Sequence, residues 1–203
     1  MIYLYTGTPG SGKSLHTARN IKFLLFRKKP VICNFPINLK YVKNPKYYNY
    51  IETEKLSPEY LKEFSRNYFK DKKVKEGEIT LIIDESQMIF NAREWGKNNR
   101  AEWNKFMQVH RHFGYDIILV CQFDTMIDKQ IRCLVEYEYV HRKVSNYGWK
   151  GIFLSVVLLS PHLVMQKKVW YPMKEKVSAD YFRASKKYYR LYDTYMVFDV
   201  KKE

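Results

Sequence analysis

Eight residues near the N-terminus have the types and the spacing of a phosphate-binding loop. They are Gly7, Thr8, Pro9, Gly10, Ser11, Gly12, Lys13 and Ser14, and they match the pattern G-x-x-x-x-G-K-[ST] at every fixed position. Small residues let successive backbone N–H groups curl around phosphates, while the helix that follows points its positive dipole end at the same charge. The pattern predicts a nucleoside triphosphate site in which Lys13 reaches the terminal phosphates and Ser14 ligates Mg²⁺.

Two carboxylates further along the chain could complete such a site. The apolar residues 79–83 indicate a buried strand, and Asp84 and Glu85 follow it directly. A carboxylate at the end of a strand beside the phosphate loop belongs to the Mg²⁺ shell, which predicts a metal-binding role for Asp84. Glu85 could then orient or deprotonate an attacking water, which favours hydrolysis over a kinase reaction. Acidic pairs after strands are also common as solvated turns, so the prediction depends on the loop.

A third apolar run, residues 117–121, ends in Gln122. In P-loop ATPases of the additional-strand class, a polar residue at this place senses the γ-phosphate or the lytic water. In the alternative interpretation, Gln122 only bonds a neighbouring loop. The sequence supports the two interpretations equally.

Length and charge restrict the class of protein. A chain of 203 residues that is 46% hydrophobic is long enough for one well-buried α/β domain, but not for two. Its 36 basic and 21 acidic residues give a net charge of +15, which predicts an anionic partner beyond the nucleotide: nucleic acid or an acidic membrane face. The alternative is a composition bias of the genome.

Three further features limit location and metal chemistry. The cysteines Cys33, Cys121 and Cys133 lack paired spacing, so we expect core residues in a reducing compartment rather than a zinc or disulfide set. Because an apolar strand is predicted at the very start, we expect no signal peptide. The longest apolar stretch, residues 152–159, is shorter than the roughly 20 residues that a membrane-spanning helix needs.

The remaining patterns predict the elements that position these residues. Helices are expected at residues 15–26, at 58–69 after a Ser57 cap, at 100–112 before Gly114, and at 178–189. Further strands are expected at 31–35, 135–144, 151–159, 164–171 and 195–198. Together they predict an α/β fold of the additional-strand P-loop NTPase class, with a mainly parallel sheet, helices on both faces and a C-terminal antiparallel hairpin extension. One domain is expected over residues 1–203, with its core at about 1–135 and a β-rich extension at about 136–203.

Several motifs occur together in one order along nearly the whole chain. They are the phosphate loop, Asp84-Glu85 with Gln87, Arg93, residues 110–117, Gln122, residues 127–132 and residues 192–194. This set resembles the zonular occludens toxin (Zot) family, which includes the assembly ATPases of filamentous phages. The loop alone is shared by very many proteins, whereas Asp-Glu-x-Gln combined with His-Arg-His-x-Gly and a strand-end Gln is much more selective.

The resemblance implies an ATP-hydrolysing motor that uses Mg²⁺ and powers phage DNA extrusion and virion assembly at the host inner membrane. It implies as partners other copies of the chain in a ring, expected to be a hexamer, together with single-stranded DNA, phage coat and assembly proteins, and the inner-membrane surface or a membrane-anchored protein. The expected location is the bacterial host cytoplasm, peripheral to or anchored at that membrane. Phage members usually continue into a membrane-spanning helix and a periplasmic part, so we expect a truncated chain or a separate anchor. The toxin activity is not transferred.

The family pattern also assigns roles residue by residue. Lys13 and Ser14 become phosphate and Mg²⁺ ligands, Asp84 the metal carboxylate and Glu85 the activator of water. Arg111 and Arg132 are the candidates for an arginine finger that enters a neighbour's site, and Arg93 is a weaker third. In the alternative interpretation each arginine pairs with a local carboxylate.

Other functions remain open from the sequence. One is a motor that packages or conjugates double-stranded DNA. Another is a nucleotide-gated membrane scaffold without turnover, whose charge serves acidic lipid. A small-molecule kinase is disfavoured by Glu85 and by the positive charge.

Overall fold

A computed structural model describes residues 1–93, 100–144 and 163–192 of the chain. The strands are β1 (Ile2–Thr6), β2 (Val31–Cys33), β3 (Tyr48–Tyr50), β4 (Ile79–Ile83), β5 (Tyr115–Val120), β6 (Tyr137–Lys143), β7 (Leu163–Trp170) and β8 (Glu175–Arg183). The helices are α1 (Lys13–Phe26), α2 (Pro58–Tyr68), α3 (Arg100–Val109), α4 (Lys129–Arg132) and α5 (Lys186–Tyr189).

Within these residues the strands form one sheet in the order β3-β2-β4-β5-β1-β6-β7-β8. The first six strands in this order pair in parallel, and β7 and β8 continue the sheet as an antiparallel hairpin. Strand β5 lies between β1, which leads into the phosphate loop, and β4, which leads into Asp84. This inserted strand confirms the predicted additional-strand arrangement, because without it β1 and β4 would be neighbours.

Helices cover both faces of the sheet, as predicted. On one face α1 buries Ala18, Ile21 and Leu25 against the sheet. On the other face Leu61 of α2 and Phe106 of α3 are fully buried in a second apolar core. Because the strands between the two cores are buried from both sides, β4 consists entirely of buried residues.

Local signals account for where the predicted helices begin and end. The Ser57 hydroxyl accepts a hydrogen bond from the Tyr60 backbone N–H at 3.2 Å, which caps α2 at its N-terminus. Helix α3 continues as a short 3₁₀ turn that ends at Gly114, whose φ of 74° lies in the left-handed region. None of the described helices has the length and apolar character to span a bilayer.

The C-terminal part differs from the sequence prediction. The helix predicted at residues 178–189 is wrong over its first half, because β8 runs to Arg183 and only Lys186–Tyr189 is helical. Ser178, expected as a helix cap, faces Lys168 of β7 across the hairpin, and its hydroxyl donates to the Asp180 carboxylate at 3.3 Å. Pairing with β7 therefore outweighs the local helix signal.

Other parts of that prediction fall outside the described residues or need small changes. The strands expected at 151–159 and 195–198 lie outside the described residues. Strand β6 pairs in parallel with β1 from Tyr137 to Val140, so the parallel part of the sheet includes this strand. Strand β3 was not predicted, because a three-residue polar and aromatic edge strand has no clear apolar period. Cys33 and Cys121 are buried as expected, but Cys133 is exposed, so its prediction as a core residue is wrong.

Candidate functional site at the phosphate loop

The phosphate loop connects the carboxyl end of β1 to the N-terminus of α1, and its glycines meet two different constraints. Gly12 has a φ of 100°, and a Cβ built there would lie 2.8 Å from a methyl carbon of Val164 on β7. Gly7 has a φ of 144°, and a Cβ there would lie 2.5 Å from the backbone oxygen of His141 on β6. Glycine is therefore required both by the backbone conformation and by strands that contact the loop.

Lys13 is the first residue of α1, and its side chain folds back over the loop. Its Nζ donates hydrogen bonds to the backbone oxygens of Gly7, at 2.6 Å, and Thr8, at 3.3 Å. Burial lowers the pKa of the Lys13 ammonium, while the carboxylates of Glu85 and Asp84 act in the opposite direction. The structure therefore brings the lysine and the two predicted carboxylates within electrostatic reach of one another.

Asp84 stands at the carboxyl end of β4, and Asn34, just after β2, holds its backbone. The Asp84 N–H donates to Asn34 Oδ1 at 2.6 Å, and Asn34 Nδ2 donates to the Asp84 carbonyl at 3.0 Å. The pKa of the Asp84 carboxyl is raised to about 6, mainly by burial and then by the Glu85 charge, while the hydrogen bond from the Glu85 N–H and the Lys13 charge act in the opposite direction. A partly buried carboxylate of this kind is stabilised by a cation, and carboxylate and hydroxyl oxygens such as those of Asp84 and Ser14 are donors of the type that Mg²⁺ prefers. Their role as metal ligands stays a prediction.

Glu85 follows in a left-handed conformation, with a φ of 46°, and is exposed. The next residue fixes this turn, because the buried Ser86 hydroxyl donates to the Val120 backbone oxygen on β5 at 2.9 Å. The Gln87 amide donates a hydrogen bond to the Glu85 carboxylate. The Asp-Glu-x-Gln spacing thus has a structural reason, since the glutamine restrains the glutamate through this bond.

Gln122 follows β5 and lies next to the loop. Its backbone oxygen accepts a hydrogen bond from the Gly7 N–H at 3.1 Å. A cavity of about 420 Å³ opens here, with Thr8, Gln122, Asp124, Glu138 and Arg142 among its lining residues. The side chain can therefore reach the region of the loop, and a sensor role for it stays a prediction.

The three predicted arginines are at different places. Arg111 precedes β5, so it lies at the amino edge of the sheet, opposite the phosphate loop, and it pairs with Glu136. Arg132 ends α4. Burial opposes the lowered pKa of the Asp124 carboxyl, which results mainly from the hydrogen bonds of Lys174 and Tyr171, with a smaller contribution from the Arg132 charge. The buried Arg132 Nε has no hydrogen-bond partner among residues 1–93, 100–144 and 163–192. Arg93 is exposed. Which of them acts as a finger stays a prediction.

Two buried histidines behind the loop were missed by the sequence analysis. His16 Nδ1 and His141 Nε2 are 2.8 Å apart, and His141 Nδ1 is 3.1 Å from the Thr6 backbone oxygen. His141 must donate to that oxygen, so its Nε2 accepts the proton of His16 Nδ1. Burial lowers the pKa of His141 to about 4 and that of His16 well below its ordinary value. The neutral pair ties α1 to β6, and no sequence signal links residues so far apart.

Comparison with curated proteins finds phage relatives. The chain is 28% identical over 153 residues to the Gene 1 protein of Salmonella phage IKe, which covers 71% of this chain and 41% of that protein. It is 27% identical over 161 residues to the putative assembly protein ORF301 of Pseudomonas phage Pf3, covering 75% of this chain and 48% of that one. The chain thus spans less than half the length of these curated relatives.

Solved structures share the fold. The N-terminal domain of zonular occludens toxin from Neisseria meningitidis superposes with a TM-score of 0.58 at 22% identity, over 95% of this chain and 98% of that domain. The genome packaging NTPase B204 of Sulfolobus turreted icosahedral virus 2, solved with ATP-gammaS, has a TM-score of 0.54 at 17% identity, over 90% and 96%.

The family model described as Zonular occludens toxin (Zot) matches residues 1–197. That match includes the phosphate loop, the carboxylates after β4 and the C-terminal hairpin. The chain therefore belongs to the Zot family.

Proposed function

We propose that this protein is a P-loop ATPase that hydrolyses ATP with Mg²⁺. The observation that carries the proposal is the electrostatic coupling of Lys13 to Asp84 and Glu85 at one edge of the sheet. An ammonium, a buried carboxylate and a second, exposed carboxylate are the groups that phosphoryl transfer to water requires. The phage relatives and the packaging NTPase of the same fold support this class of activity.

Each residue has a separate task in this proposal. Lys13 exchanges its two backbone oxygens for oxygens of the terminal phosphates and neutralises their charge. Ser14 and Asp84 hold Mg²⁺, which when bound draws negative charge from the phosphates. Glu85, held by Gln87, orients the attacking water and accepts its proton. Gln122, at the loop, bonds the γ-phosphate or that water.

We propose that this hydrolysis powers phage DNA extrusion and virion assembly at the host inner membrane. The protein would act in the bacterial host cytoplasm as a ring, expected to be a hexamer, with coat and assembly proteins and the membrane or an anchored partner. Arg111 lies at the sheet edge opposite its own loop and pairs with Glu136, so a finger role for it would require the site of another copy, as in a ring. Arg132 is the second candidate for this role.

A basic and aromatic surface on α1 supports an anionic partner such as single-stranded DNA. Arg19, Lys22, Lys40 and Lys43 line a depression of about 640 Å³ together with Phe23, Phe26 and Tyr41, and none of its lining residues in the described part of the chain is acidic. The Lys43 ammonium lies 5.3 Å from the centre of the Phe26 ring, which is 58% exposed. Exposed rings among cations suit the bases and phosphates of a single strand.

ATPase activity at increasing protein concentration, with and without single-stranded DNA, tests the proposal. We expect specific activity to rise as the ring assembles and to rise again with DNA. Lys22→Glu/Lys43→Glu should remove the DNA stimulation, whereas Lys70→Glu/Lys73→Glu, which changes charge equally on exposed residues elsewhere, should retain it. Activity that is absent at every concentration, with Mg²⁺ and DNA present, would contradict the proposal.

A double-stranded DNA motor is the second candidate, favoured by the fold similarity to a genome packaging NTPase. Stimulation by single-stranded and double-stranded DNA over a salt series separates the two, because phosphate contacts weaken steeply with salt. The third candidate is a membrane scaffold that binds ATP without hydrolysing it. ATP that stays uncleaved in an assembled ring would favour it.

A further inference from the structure

A second cavity runs along the phosphate loop on the side away from Asp84. It has a volume of about 450 Å³. One wall is the loop and the start of α1, from Gly10 to Leu15. The opposite wall consists of Lys143, Leu163, Val164, Ala184, Tyr189 and Tyr192. These six residues come from the end of β6 and from the C-terminal part of the chain, outside the motifs that define the phosphate site.

The strand order sets the direction in which a nucleotide must lie. Asp84 and Glu85 are at the end of β4, and β5 separates β4 from β1, whereas β6 and β7 are on the opposite side of β1. If the terminal phosphate and Mg²⁺ are held on the β4 side, the α-phosphate and the nucleoside extend towards β6 and β7. The cavity lies on that side.

Two residues of the opposite wall come close to the loop backbone. Val164 of β7 packs on Gly12 closely enough to exclude a Cβ there, as described above. The Lys143 ammonium would lie 3.5 Å from a Cβ at Gly10, so it stands over the loop. Among the described residues, no carboxylate is within 4.0 Å of the Lys143 ammonium, and none of those that line the cavity is acidic. Lys143 is therefore a second cation at the loop, beside Lys13.

The rest of the wall offers apolar and aromatic surface. Leu163, Val164 and Ala184 are buried, and Tyr189, at the end of α5, is 51% exposed. The Tyr192 ring is held in place by Phe35, because the two rings stack with centroids 4.3 Å apart and an interplanar angle of 17°. A nucleobase is a flat aromatic ring, and stacking on a tyrosine or an apolar surface is the interaction that this wall can provide.

We propose that this wall binds the nucleoside half of the nucleotide. Lys143 contacts the phosphate nearest the ribose, while Tyr189 and Val164 contact the base. The inference rests on the proposed function, because it assumes that the loop binds the phosphates. It adds a specificity-determining surface built from β6, β7 and α5, and it makes the C-terminal hairpin part of the nucleotide site.

Calorimetric titration with two ligands tests this arrangement: ATP, and inorganic tripolyphosphate, which has the phosphates without the nucleoside. Tyr189→Ala should weaken ATP binding about tenfold and leave tripolyphosphate binding within twofold. Tyr189→Phe should bind both as the unaltered protein does. Lys143→Gln should weaken both ligands about tenfold, because it removes a charge-assisted contact to phosphate. Tyr181→Ala, at an exposed tyrosine of β8 outside the cavity lining, is the matched control and should change neither.

Different outcomes overturn different parts of the account. Tyr189→Ala that binds ATP as tightly as the unaltered protein would overturn the base contact. Tyr189→Ala that loses both ligands equally would also overturn it, since the loop itself would then be disturbed. Lys143→Gln with unchanged binding of both ligands would overturn the phosphate contact. If the unaltered protein binds neither ligand, the proposed function itself fails.

Discussion

The two sides of β1 contribute to the phosphate loop in different ways. On one side, Gln122 and Asp84 follow the carboxyl ends of β5 and β4, at the same edge of the sheet as the loop. On the other side, β6 and β7 bring His141 and Val164 against the backbone of the loop itself. The first side has the groups that we propose act on the phosphates, and the second constrains the backbone of the loop. Substitutions on the two sides should therefore have different consequences.

The largest difference is expected for substitutions that act on the reaction. Lys13→Ala and Glu85→Gln should each reduce the rate of ATP hydrolysis by about 10²–10⁴. The first removes the ammonium that neutralises the phosphates, and the second removes the carboxylate that accepts the proton of the attacking water. The free energy of unfolding should change by less than about 1 kcal/mol for the exposed Glu85. Steady-state phosphate release measures the hydrolysis rate, and urea unfolding measures the free energy of unfolding. Full activity in Glu85→Gln would show that another group activates the water.

The histidine pair on the β6 side should make stability depend on pH. Burial lowers the pKa of His141 from 6.5 to about 4, so the unfolded chain binds more protons between these values. The stabilising contribution is complete above pH 6.5 and is lost as the pH falls towards 4, by on the order of 3 kcal/mol. Urea unfolding at pH 7.5 and 5.0 checks this.

His141→Gln provides the comparison for that experiment. It should be less stable at pH 7.5 and should lose less stability on acidification than the unaltered protein. An equal loss in both proteins would mean that other groups cause the acid sensitivity.

Asp84, on the β4 side, should make stability depend on pH in the opposite direction. Its pKa is raised from 3.8 to about 6, so the folded protein binds the extra proton and this destabilising contribution disappears as the pH falls through that range. Asp84→Asn should therefore raise the free energy of unfolding at pH 7.5 by about 1–3 kcal/mol while it abolishes Mg²⁺-dependent hydrolysis. Thermal unfolding measures the change in stability, and phosphate release measures the loss of hydrolysis. A destabilised Asp84→Asn protein would contradict the idea that function requires an unfavourable buried charge here.

The contact between β7 and the loop should make two glycine substitutions differ in their cost to stability. Gly10→Ala and Gly12→Ala both force an alanine into the left-handed region, at a cost of about 1–2 kcal/mol each, but only Gly12→Ala also meets Val164. Gly12→Ala should cost about 1 kcal/mol more by urea unfolding. Val164→Ala added to it should recover part of this difference. Equal costs at the two glycines would show that β7 does not restrain the loop.

Local sequence patterns were sufficient to predict the phosphate loop and the strands before Asp84 and Gln122. The phosphate loop, the strand before Asp84 and the strand before Gln122 are each short continuous segments, and their residue types reflect burial and phosphate geometry directly. The additional-strand class was predicted from the apolar run that ends in Gln122, and the structure places this strand, β5, between β1 and β4. For these reasons the fold class could be predicted before any contact was known.

The remaining features depend on contacts between distant segments. The Asn34 bonds to Asp84 and the pair of His16 and His141 join residues that no local pattern connects. Asn34 could have been suspected, since it is a polar residue at the end of a parallel strand. Residues 178–183 have a plausible helix start, but their pairing with β7 decides their conformation. The exposure of Cys133 likewise results from its position after α4 rather than from its apolar neighbours.

The most direct test of the central claim is a crystal structure of Glu85→Gln with ATP and Mg²⁺, in which slow hydrolysis preserves the nucleotide. We predict phosphates held by the loop backbone and by Lys13, with the metal ion between the Ser14 hydroxyl and the Asp84 carboxylate. A nucleotide bound elsewhere, or a metal ion that contacts neither of these oxygens, would contradict the account.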